Sequence, residues 1–420
     1  MGDFIEFLYS RFLLSNGVSI DTRTIVEGNL FFAISGPNFN ANRFAEQAIE
    51  KGAAYAVVDE EEYDTGNKTI LAEDALAALQ NLARFHRSRF KRPVLALTGS
   101  NGKTTTKELI AKVLSEKYIV HSTKGNYNNH IGVPLTLLHI HPQAEIAIVE
   151  MGANHVGEIG HLTEMADPTH GLITNIGHAH TEGFGGFEGV IRGKSELFDY
   201  LRKNKREVLV NLNDPVLSNM AKRFASPHLY PDKDVKLLGA SPYVKFSLGK
   251  EEVETSIAGG YNFDNIAAAV KVGRLFDVPD NKIAAAISSY VPADARSQII
   301  KKGSLTIILD AYNANPDSMK AALDSLSKME GRKIAILGDM NELKNSDEKH
   351  RELIQFAREL DLKVLTTGEK IKIGNLTSDH YENKEDLVSY LETQKFPDSV
   401  VLLKASRSIK LETLVENLHS

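Results

Sequence analysis

The sequence contains no cysteine, which excludes disulfide bonds and thiolate metal sites and suits a reducing compartment. No apolar run approaches the roughly 20 residues that a membrane-spanning helix requires. A formal net charge of −6 leaves no domain-wide basic excess of the kind that nucleic-acid-binding proteins carry. We therefore expect a cytoplasmic protein that neither inserts into a membrane nor binds nucleic acid.

The chain also lacks internal repeats, low-complexity tracts and long linkers. At 420 residues it is too long for one ordinary hydrophobic core, and 42% hydrophobic with 25% charged residues is a globular composition. The first residues are apolar but are interrupted by Asp3, Glu6 and Arg11, which indicates an amphipathic helix rather than a signal peptide. Two or three domains are expected.

Short apolar strands alternate with helical segments along the chain, which predicts α/β domains with mainly parallel sheets. A change of composition near Pro292–Arg296 indicates a boundary, and we predict domains at residues 1–92, 93–296 and 297–420. In the last domain we predict four strands and several helices, one of them over Ile409–Leu418. Because ligands of parallel sheets bind at the carboxyl ends of strands, functional residues should follow strands.

The segment Thr98–Thr106, TGSNGKTTT, follows an apolar run and precedes apolar residues at helical spacing, so it predicts a strand, a glycine loop and a helix. Gly99 and Gly102 would let backbone N–H groups converge on a phosphate at the helix N-terminus. Lys103 would reach the terminal phosphates, and the Thr104 hydroxyl would bind Mg²⁺. The glycine spacing is shorter than in the common P-loop, and a plain glycine turn is the alternative.

Ionisable side chains follow the next two predicted strands. Glu150 ends the apolar run Ile146–Val149 and is placed to hold the metal of a bound triphosphate, since a buried acid would otherwise need a partner. His178 and His180 lie in a glycine-rich loop, and either could be a surface residue, because hard cations prefer oxygen ligands to imidazole. Lys194, on a predicted helix, is by itself a solvated lysine.

Polar segments give further candidates. Asn126, Asn128 and Asn129 could hydrogen-bond a peptide or a phosphate, or cap the helix that follows them. Asn265, near the start of another predicted helix, could present its amide to a base. The segment Asp21–Arg23 combines polar side chains near strand ends, and an ordinary solvated turn explains it equally well.

Three polar loops follow predicted strands of the last domain, at residues 310–316, 338–342 and 404–407. Because the carboxyl ends of parallel strands share one edge of the sheet, these loops should form one wall. A second substrate pocket would use such a wall.

Taken together and in order, these motifs resemble the Mur ligase family of cell-wall synthesis over essentially the whole chain. The short phosphate loop has the family's form. DAYNANPDSM and LGDMNEL resemble most closely the branch that adds D-alanyl-D-alanine to UDP-N-acetylmuramoyl-tripeptide, and the DNPR motif of the lysine- or diaminopimelate-adding branch does not occur. The resemblance rests on SIDTRTIVEGNLFFAISG, TGSNGKTTTKE, GNYNNHIGVPLTLL, EMGANHVGEI, TNIGHAHTEGFGG with GKSE, GYNFDN, DAYNANPDSM, LGDMNEL and KASRS.

The resemblance implies a three-domain α/β architecture with a central P-loop ATPase domain and a Rossmann-like C-terminal domain. It implies ATP and Mg²⁺ as cofactors and two small-molecule substrates, and we expect a monomer. ATP would phosphorylate the terminal carboxylate of the tripeptide, and the amine of D-alanyl-D-alanine would attack the acyl phosphate to form an amide. Lys103 would stabilise charge on the transferred phosphoryl group.

The resemblance also implies roles for single residues. Thr104 and Glu150 would hold one Mg²⁺ and His180 would help to hold a second, with Lys194 carbamoylated into an oxygen ligand; His178 would be incidental. Nucleotide contacts are implied for Gly99, Ser100, Asn101, Gly102, Lys103, Thr104 and Thr105, for Asn265 at adenine, for Arg296 at the phosphates after domain closure and for Asp310 at the ribose. Substrate contacts are implied for Asp21, Thr22 and Arg23 at the UDP end, for Asn126, Asn128 and Asn129, and for Asn313, Asn315 and Arg407 at D-alanyl-D-alanine.

Four positions depart from the family's pattern. Tyr261 replaces a usual histidine, Ala405 a usual glycine, and Leu309 a common acidic residue, while Asn40–Asn42 replaces an acidic-glycine-histidine run. None of the four removes an implied phosphate or magnesium ligand. The run Asn40–Asn42 lies in the N-terminal domain, where the sequence therefore matches the family's implied UDP contacts less closely.

Two other functions fit part of the sequence. A sister ligase, either another Mur ligase or folylpolyglutamate synthase, would use the same ATP chemistry, but the folate enzyme lacks the N-terminal UDP-type domain. A nucleotide-binding protein that has lost catalysis would carry a damaged site, whereas every residue implied for phosphate and magnesium is present.

Overall fold

The computed structural model describes residues 2–343, 346–374 and 379–420, and these residues form four β-sheets. The N-terminal elements are α1 (Gly2–Leu13), β1 (Val18–Ser19), β2 (Leu30–Phe32), α2 (Ala45–Glu50), β3 (Tyr55–Val58), β4 (Thr69–Leu71) and α3 (Ala75–Arg89). The four strands are parallel and lie in the order β1-β2-β3-β4. In α1, Ile5, Leu8 and Phe12 are buried at helical spacing, so the expected amphipathic helix is confirmed.

The second sheet contains the phosphate loop. Its elements are β5 (Val94–Thr98), α4 (Lys103–Leu114), β6 (Val120–Ser122), α5 (Gly132–Leu138), β7 (Ile146–Glu150), α6 (Glu158–Ala166), β8 (His170–Ile173), α7 (Phe187–Lys203), β9 (Glu207–Asn211), α8 (Pro215–Met220) and β10 (His228–Tyr230). All six strands are parallel, in the order β10-β9-β8-β5-β7-β6. The neighbours of β5 in the sheet are β8 on one side and β7 on the other. The loop after β5 therefore lies at a point where the strand order reverses, and parallel α/β sheets bind ligands at such points.

A three-stranded antiparallel sheet follows, and the sequence analysis missed it. It consists of β11 (Val235–Gly239), β12 (Tyr243–Leu248) and β13 (Glu251–Ala258), and the helices α9 (Phe263–Leu275) and α10 (Asp280–Ser288) come after it. Val244, Phe246 and Leu248 of β12 are buried in alternation, and they share one hydrophobic cluster with residues of α4, α9 and α10. This sheet thus covers one face of the second sheet's core.

The fourth sheet is doubly wound. It contains β14 (Gln298–Lys302), β15 (Leu305–Leu309), α11 (Pro316–Ser327), β16 (Arg332–Gly338), α12 (Asp347–Glu359), β17 (Lys363–Thr367), β18 (His380–Tyr381), α13 (Lys384–Glu392) and β19 (Ser399–Lys404). The strand order is β14-β15-β19-β16-β17-β18, and only β14 runs antiparallel to its neighbour within this described sheet. The four predicted strands correspond to β15, β16, β17 and β19, and the edge strands β14 and β18 are additional.

The helix predicted over Ile409–Leu418 is wrong in type. Residues Arg407–Ile409 and Leu411–Asn417 form two 3₁₀ helices, because Lys410 between them takes a left-handed conformation with φ of +59°. Further 3₁₀ helices occur at Asn42–Phe44, Glu61–Tyr63, Ala221–Arg223, Gly260–Asn262 and Ile371–Gly374.

The α/β class and the three-part architecture predicted from the sequence are confirmed. The proposed boundary after residue 92 falls in the loop between α3 and β5, but the hydrophobic core continues across it, since Leu79 and Leu82 of α3 share a cluster with Val133 and Leu137 of α5. The domain limits therefore stay predictions. Among the described helices, none combines the length and apolarity needed to cross a bilayer.

Candidate active site

The phosphate loop has the expected strand, loop and helix arrangement. Gly99 and Gly102 have φ of +150° and +77°, and a Cβ at either position would collide with the side chain of Thr174 or Asn265. Only glycine fits both the backbone conformation and the space. The loop therefore brings its backbone close to whatever lies at the N-terminus of α4, which favours an anion.

Side chains of the loop are held by the strand-end segment that follows β8. The Ser100 hydroxyl donates to the Gly177 carbonyl at 3.0 Å and accepts from the Gly177 N–H at 2.8 Å. The backbone N–H of Asn101 donates to Oδ1 of Asn175 at 2.9 Å. The phosphate loop is thus held in place by residues of the segment after β8 as well as by its own residues.

Lys103 lies at the first position of α4, and its Nζ donates to the carbonyls of Gly99 and Ser100 at 2.8 and 3.3 Å. Burial lowers the pKa of Lys103, while the nearby carboxylates of Glu150 and Glu342 oppose that shift. The ammonium therefore lies against the loop, where the terminal phosphates of a bound nucleotide would lie.

Glu150, the last residue of β7, has only 1% of its surface exposed. Its Oε1 accepts from Nδ2 of Asn128 at 2.7 Å and from the Thr104 hydroxyl at 3.3 Å. Its Oε2 is buried without a hydrogen-bond partner among the described residues, and the nearest ammonium, that of Lys107, is 3.8 Å away. A buried carboxylate oxygen with no donor is a group that a cation would satisfy.

Lys194 and His180 both lie within reach of the charges of Lys103 and Glu342. Lys194 on α7 is 1% exposed, and its Nζ lies 5.3 Å from the ring centroid of Phe184 with no hydrogen bond or ion pair in the described part of the chain. Burial, with help from the charge of Lys103, lowers the pKa of Lys194 well below its usual value. Burial also lowers the pKa of His180, whose Nε2 is 3.5 Å from Oε1 of Glu342.

Within the described residues there is no group of three or more His, Asp or Glu side chains that could hold a metal by themselves. The magnesium ligands implied by the sequence instead combine a hydroxyl, a carboxylate, an imidazole and a lysine. Thr104 and Glu150 are in direct contact, and Oε2 of Glu150, which has no hydrogen-bond partner among the described residues, fits a cation beside them. The donor set at Thr104 and Glu150 therefore suits Mg²⁺.

Two adjoining cavities meet at the phosphate loop. The first, of about 360 Å³, is lined by Thr105, Asn265, Asp310 and Asp317 among others, and the second, of about 430 Å³, by Ser100, Lys103, Thr104, Asn126, Asn128, Asn129, Glu150, His180 and Glu342 among others. Both are lined by Asn101, Gly102, Arg296, Tyr312 and Asn313. The second sheet (β5–β10), called the central sheet from here on, and the fourth sheet (β14–β19), called the C-terminal sheet, therefore share one composite site.

In the first cavity, Asn265 is held by its neighbours. Its Nδ2 donates to Oδ1 of Asn262 at 2.8 Å, and its Oδ1 accepts from the Thr106 hydroxyl at 2.9 Å. Asn262 precedes α9 without forming a side-chain capping bond, and its Nδ2 instead donates to the Ala258 carbonyl at 2.8 Å. Asn265 thus lines the cavity with its amide already oriented.

Asp310 also lines the first cavity, where Lys404 holds its carboxylate at 2.6 Å and the Tyr261 hydroxyl lies 3.5 Å away. The Tyr261 hydroxyl is also hydrogen-bonded to that of Ser297 at 2.9 Å. Tyr261, which replaces a histidine usual in the family, therefore links the segment before α9 to Ser297 before β14 and to Asp310 after β15. Arg296 stacks on the Tyr312 ring, with its guanidinium carbon 3.4 Å from the centroid.

The asparagines after β6 divide between two roles. Asn128 donates to Glu150, whereas Oδ1 of Asn129 accepts from the backbone N–H groups of Ile131 and Gly132 at 3.0 and 2.8 Å and so orders the start of α5. The helix-start role left open by the sequence thus applies to Asn129, and a contact of Asn128 with a peptide or a phosphate stays a prediction. Asn126 lines the second cavity beside them.

The implied dipeptide residues do not act alike. Asn313 lines both cavities, and its Nδ2 donates to Oε1 of Glu342. Asn315 caps α11 by accepting from the Ser318 N–H at 2.9 Å. Arg407, like Asn315, lines neither cavity; it pairs with Glu412 at 3.0 Å, and its guanidinium carbon lies 5.9 Å from the centroid of the Tyr312 ring.

The Asp21–Arg23 segment lies at a different cavity, of about 590 Å³, which Phe31, Phe39 and Phe44 also line. Arg23 holds Asp21 through two N–H groups at 2.6 to 3.0 Å, and this contact lowers the pKa of Asp21 to about 2. Phe39 and Phe44 are stacked with centroids 5.5 Å apart. The segment is therefore part of a separate pocket in the first sheet's domain.

The unusual asparagines Asn40 and Asn42 serve that domain's own structure. Nδ2 of Asn40 donates to Glu60 at 2.8 Å, and Nδ2 of Asn42 donates to Asp59 at 2.7 Å. Both amides therefore hold the loop against the end of β3.

Sequence reasoning missed three residues of the composite site, namely Glu342, Lys404 and Tyr312, although the polar loops after strands had marked their segments. It also treated His178 as incidental. The backbone N–H and Nδ1 of His178 lie 2.6 and 3.2 Å from Oδ2 of Asp317, so His178 joins the loop after β8 to α11. No local pattern could have paired residues 139 positions apart.

Comparison with known proteins gives three family matches along the chain. Residues 97–273 match the Mur ligase middle domain, residues 295–407 match the Mur ligase glutamate ligase domain, and residues 15–87 match the Mur ligase family catalytic domain. The matched ranges together include the phosphate loop, Glu150, Lys194 and Glu342.

Relatives match over nearly their whole length. The UDP-N-acetylmuramoyl-tripeptide--D-alanyl-D-alanine ligase of Bacillus subtilis is 35% identical, covering 96% of this chain and 93% of that protein. The enzyme of the same name from Escherichia coli is 31% identical with the same coverage. Among solved structures, MurF from Acinetobacter baumannii superposes with a TM-score of 0.86 at 29% identity, covering 95% of this chain and 92% of that one. MurF ligase from Thermotoga maritima in complex with ADP gives 0.85 at 28% identity, covering 96% and 97%. The chain belongs to the Mur ligase family.

Proposed function

We propose that this protein is an ATP-dependent ligase that joins D-alanyl-D-alanine to UDP-N-acetylmuramoyl-tripeptide through an amide bond, giving the pentapeptide precursor of peptidoglycan. One observation carries the proposal: groups suited to ATP on the central sheet and polar groups of the C-terminal sheet line the same cavity. The Bacillus subtilis relative named UDP-N-acetylmuramoyl-tripeptide--D-alanyl-D-alanine ligase covers 96% of this chain, and one similar structure is a complex with ADP. Folylpolyglutamate synthase is not favoured, because the N-terminal Mur ligase match is present.

The first step is phosphoryl transfer to the terminal carboxylate of the tripeptide. The backbone of the phosphate loop binds the nucleotide phosphates, and Lys103 neutralises charge that develops on the transferred group. Arg296 lines both cavities and so can contact phosphate from the opposite side. Asn265 is placed for the base, and Asp310, held by Lys404, is placed for the ribose.

Thr104 and Glu150 would hold Mg²⁺, and His180 would contribute at a second position. When bound, the metal neutralises phosphate charge and orients the transferred group. Lys194 is proposed to carry a carbamate, because its buried amine with a lowered pKa has no partner among the described residues and only an uncharged amine reacts with CO₂. The carbamate would convert it into an oxygen donor.

The second step forms the amide. The ammonium of the dipeptide loses one proton to solvent, and the freed amine nitrogen attacks the acyl carbon to give a tetrahedral intermediate. Phosphate then leaves with the electron pair of the broken C–O bond, and the nitrogen releases a second proton to solvent as the amide forms. The apposition of the C-terminal loops and the phosphate loop shields the acyl phosphate from water. Asn126 and Asn128 in the second cavity are proposed to contact the tripeptide, and Asp21, Thr22 and Arg23 the UDP end. We further propose a cytoplasmic monomer.

The test is phosphate release with Mg²⁺, ATP, the UDP-tripeptide and D-alanyl-D-alanine, with each component omitted in turn. The proposal expects release only when all four are present, with a product heavier by one dipeptide. The Lys103→Ala variant should lose roughly 100- to 1,000-fold in turnover. The matched control is Lys112→Ala, on the exposed side of the same helix. Release that requires folate and glutamate instead would overturn the assignment.

A further inference from the structure

Glu342 is the carboxylate that the C-terminal sheet contributes to the second cavity. It follows β16, its side chain is 15% exposed, and it lies among groups of the central sheet. Its Oε1 accepts from Asn313 and lies 3.5 Å from Nε2 of His180. Its Oε2 is buried and has no hydrogen-bond partner among the described residues. One oxygen thus fixes the carboxylate, and the other is free to receive a donor.

Two cations line the cavity beside Glu342. They are Lys103 and Arg296, and the charge of Glu342 acts on Lys103. These groups suit phosphate, but they would repel the ammonium of an incoming amino acid or peptide. An α-amino group has an ordinary pKa of about 8, so it enters mostly charged at pH 7. A carboxylate at the place where the nucleophile binds would offset this repulsion.

Two other carboxylates line the cavity, one suited to the metal and the other already hydrogen-bonded through both oxygens. Glu150 is bonded to Asn128 and Thr104 and suits the metal. Both oxygens of Glu158 are taken, one by Nδ1 of His155 at 3.0 Å and the other by the backbone N–H of Asn154 at 2.7 Å. Among these three, Glu342 alone combines an oxygen that has no hydrogen-bond partner in the described residues with a position after a strand of the C-terminal sheet.

We propose that Glu342 binds the ammonium group of the incoming dipeptide and places its nitrogen beside the acyl phosphate. The inference rests on the proposed function and adds a specificity residue to it. Asn313 then acts as a positioning residue, since it holds Oε1 and leaves Oε2 for the ligand. The same contact makes the site selective for an amine-bearing acceptor over a neutral isostere, because burial strengthens the charge-assisted hydrogen bond.

The test compares Glu342→Gln, which keeps the shape and removes the charge, with Glu348→Gln, an exposed carboxylate of α12 in the same domain. In Glu342→Gln the KM for D-alanyl-D-alanine should rise roughly 10- to 100-fold, the range for a buried hydrogen bond to a charged group. The inhibition constant of propionyl-D-alanine, which lacks the amine, should change much less. Glu342→Asp keeps the charge and should give an intermediate KM, and Glu348→Gln should match the wild type.

A second measurement separates binding of the dipeptide from phosphoryl transfer. With hydroxylamine in place of the dipeptide, the acyl phosphate yields a hydroxamate and phosphate, and hydroxylamine is uncharged at neutral pH. The ratio of hydroxamate to dipeptide product should therefore rise in Glu342→Gln. An equal loss of both products, or equal weakening of propionyl-D-alanine and the dipeptide, would assign Glu342 to the fold or to the ATP side and overturn the inference. Absence of both products in the wild type would overturn the proposed function, and this inference with it.

Discussion

Asn315 at the N-terminus of α11 donates a hydrogen bond from Nδ2 to Oδ1 of Asn101 in the phosphate loop, at 2.7 Å. The two residues are 214 positions apart, and they join the C-terminal sheet to the nucleotide site of the central one. The same asparagine also caps α11 with its Oδ1. One side chain therefore serves the helix with its oxygen and the interface between the sheets with its nitrogen.

Asn315→Ser should weaken ATP binding with little effect on the fold. Serine keeps a capping oxygen but is too short to reach Asn101, so the variant loses one neutral hydrogen bond between the sheets. Such a bond contributes about 1 kcal/mol, so the KM for ATP should rise roughly fivefold. Asn383→Ser, at the equivalent cap of α13, provides the control and should leave the KM for ATP unchanged. Equal effects of the two variants would show that only capping is involved.

The sequence was sufficient for the parts of the site that are local. Gly99, Gly102, Lys103 and Thr104 are successive or nearly so, and their chemistry requires only the strand before them and the helix after them. Glu150 could be predicted because it ends a buried strand. The resemblance to a family supplied Lys194, which alone reads as a solvated lysine.

What the sequence could not supply depends on strand order and domain apposition. Glu342 follows β16 and Lys404 ends β19, and their partners became known only with the packing of the chain. The antiparallel strand β12 carries an alternating burial pattern that was present in the sequence but not used. The 3₁₀ helices near the C-terminus depend on the left-handed Lys410, a conformation that a lysine rarely takes.

Activity should depend on CO₂ through Lys194. Removing dissolved CO₂ should lower turnover of the wild-type enzyme, and bicarbonate should restore it, because the buried amine with its lowered pKa is poised to form a carbamate. Lys194→Ala should lose roughly tenfold or more and should not respond to bicarbonate. Lys203→Ala, exposed at the end of the same helix, is the control. A wild-type enzyme indifferent to CO₂ would show that an unmodified lysine serves this site.

Arg23 should act on the UDP substrate alone. It lines the pocket in the first domain with its guanidinium exposed, so Arg23→Ala removes a cation that a diphosphate would contact. The KM for the UDP-tripeptide should rise roughly tenfold, while the KM values for ATP and the dipeptide stay the same. The matched control is Lys68→Ala, an exposed cation of the same domain that does not line the pocket. A uniform change in all three KM values would place Arg23 in the fold rather than in substrate binding.

His170 should make the protein less stable as the pH falls. Burial lowers the pKa of this imidazole, at the start of β8, to about 4, against an ordinary value near 6.5. Between these two values the unfolded chain binds a proton that the folded chain does not, so the free energy of unfolding rises with pH across that window. The difference corresponds to about 3 kcal/mol, present in full above pH 6.5 and lost as the pH approaches 4.

Urea unfolding of the wild type and of His170→Gln at several pH values isolates this contribution, since carboxylates that titrate in the same range affect both proteins alike. The wild type should lose about 3 kcal/mol more than the variant between pH 6.5 and 4. His141→Gln, which alters an exposed histidine of the same domain, should leave the wild-type pH dependence unchanged. If the curves of the wild type and His170→Gln ran parallel, His170 would titrate alike in the folded and unfolded chains, and its burial would not oppose protonation.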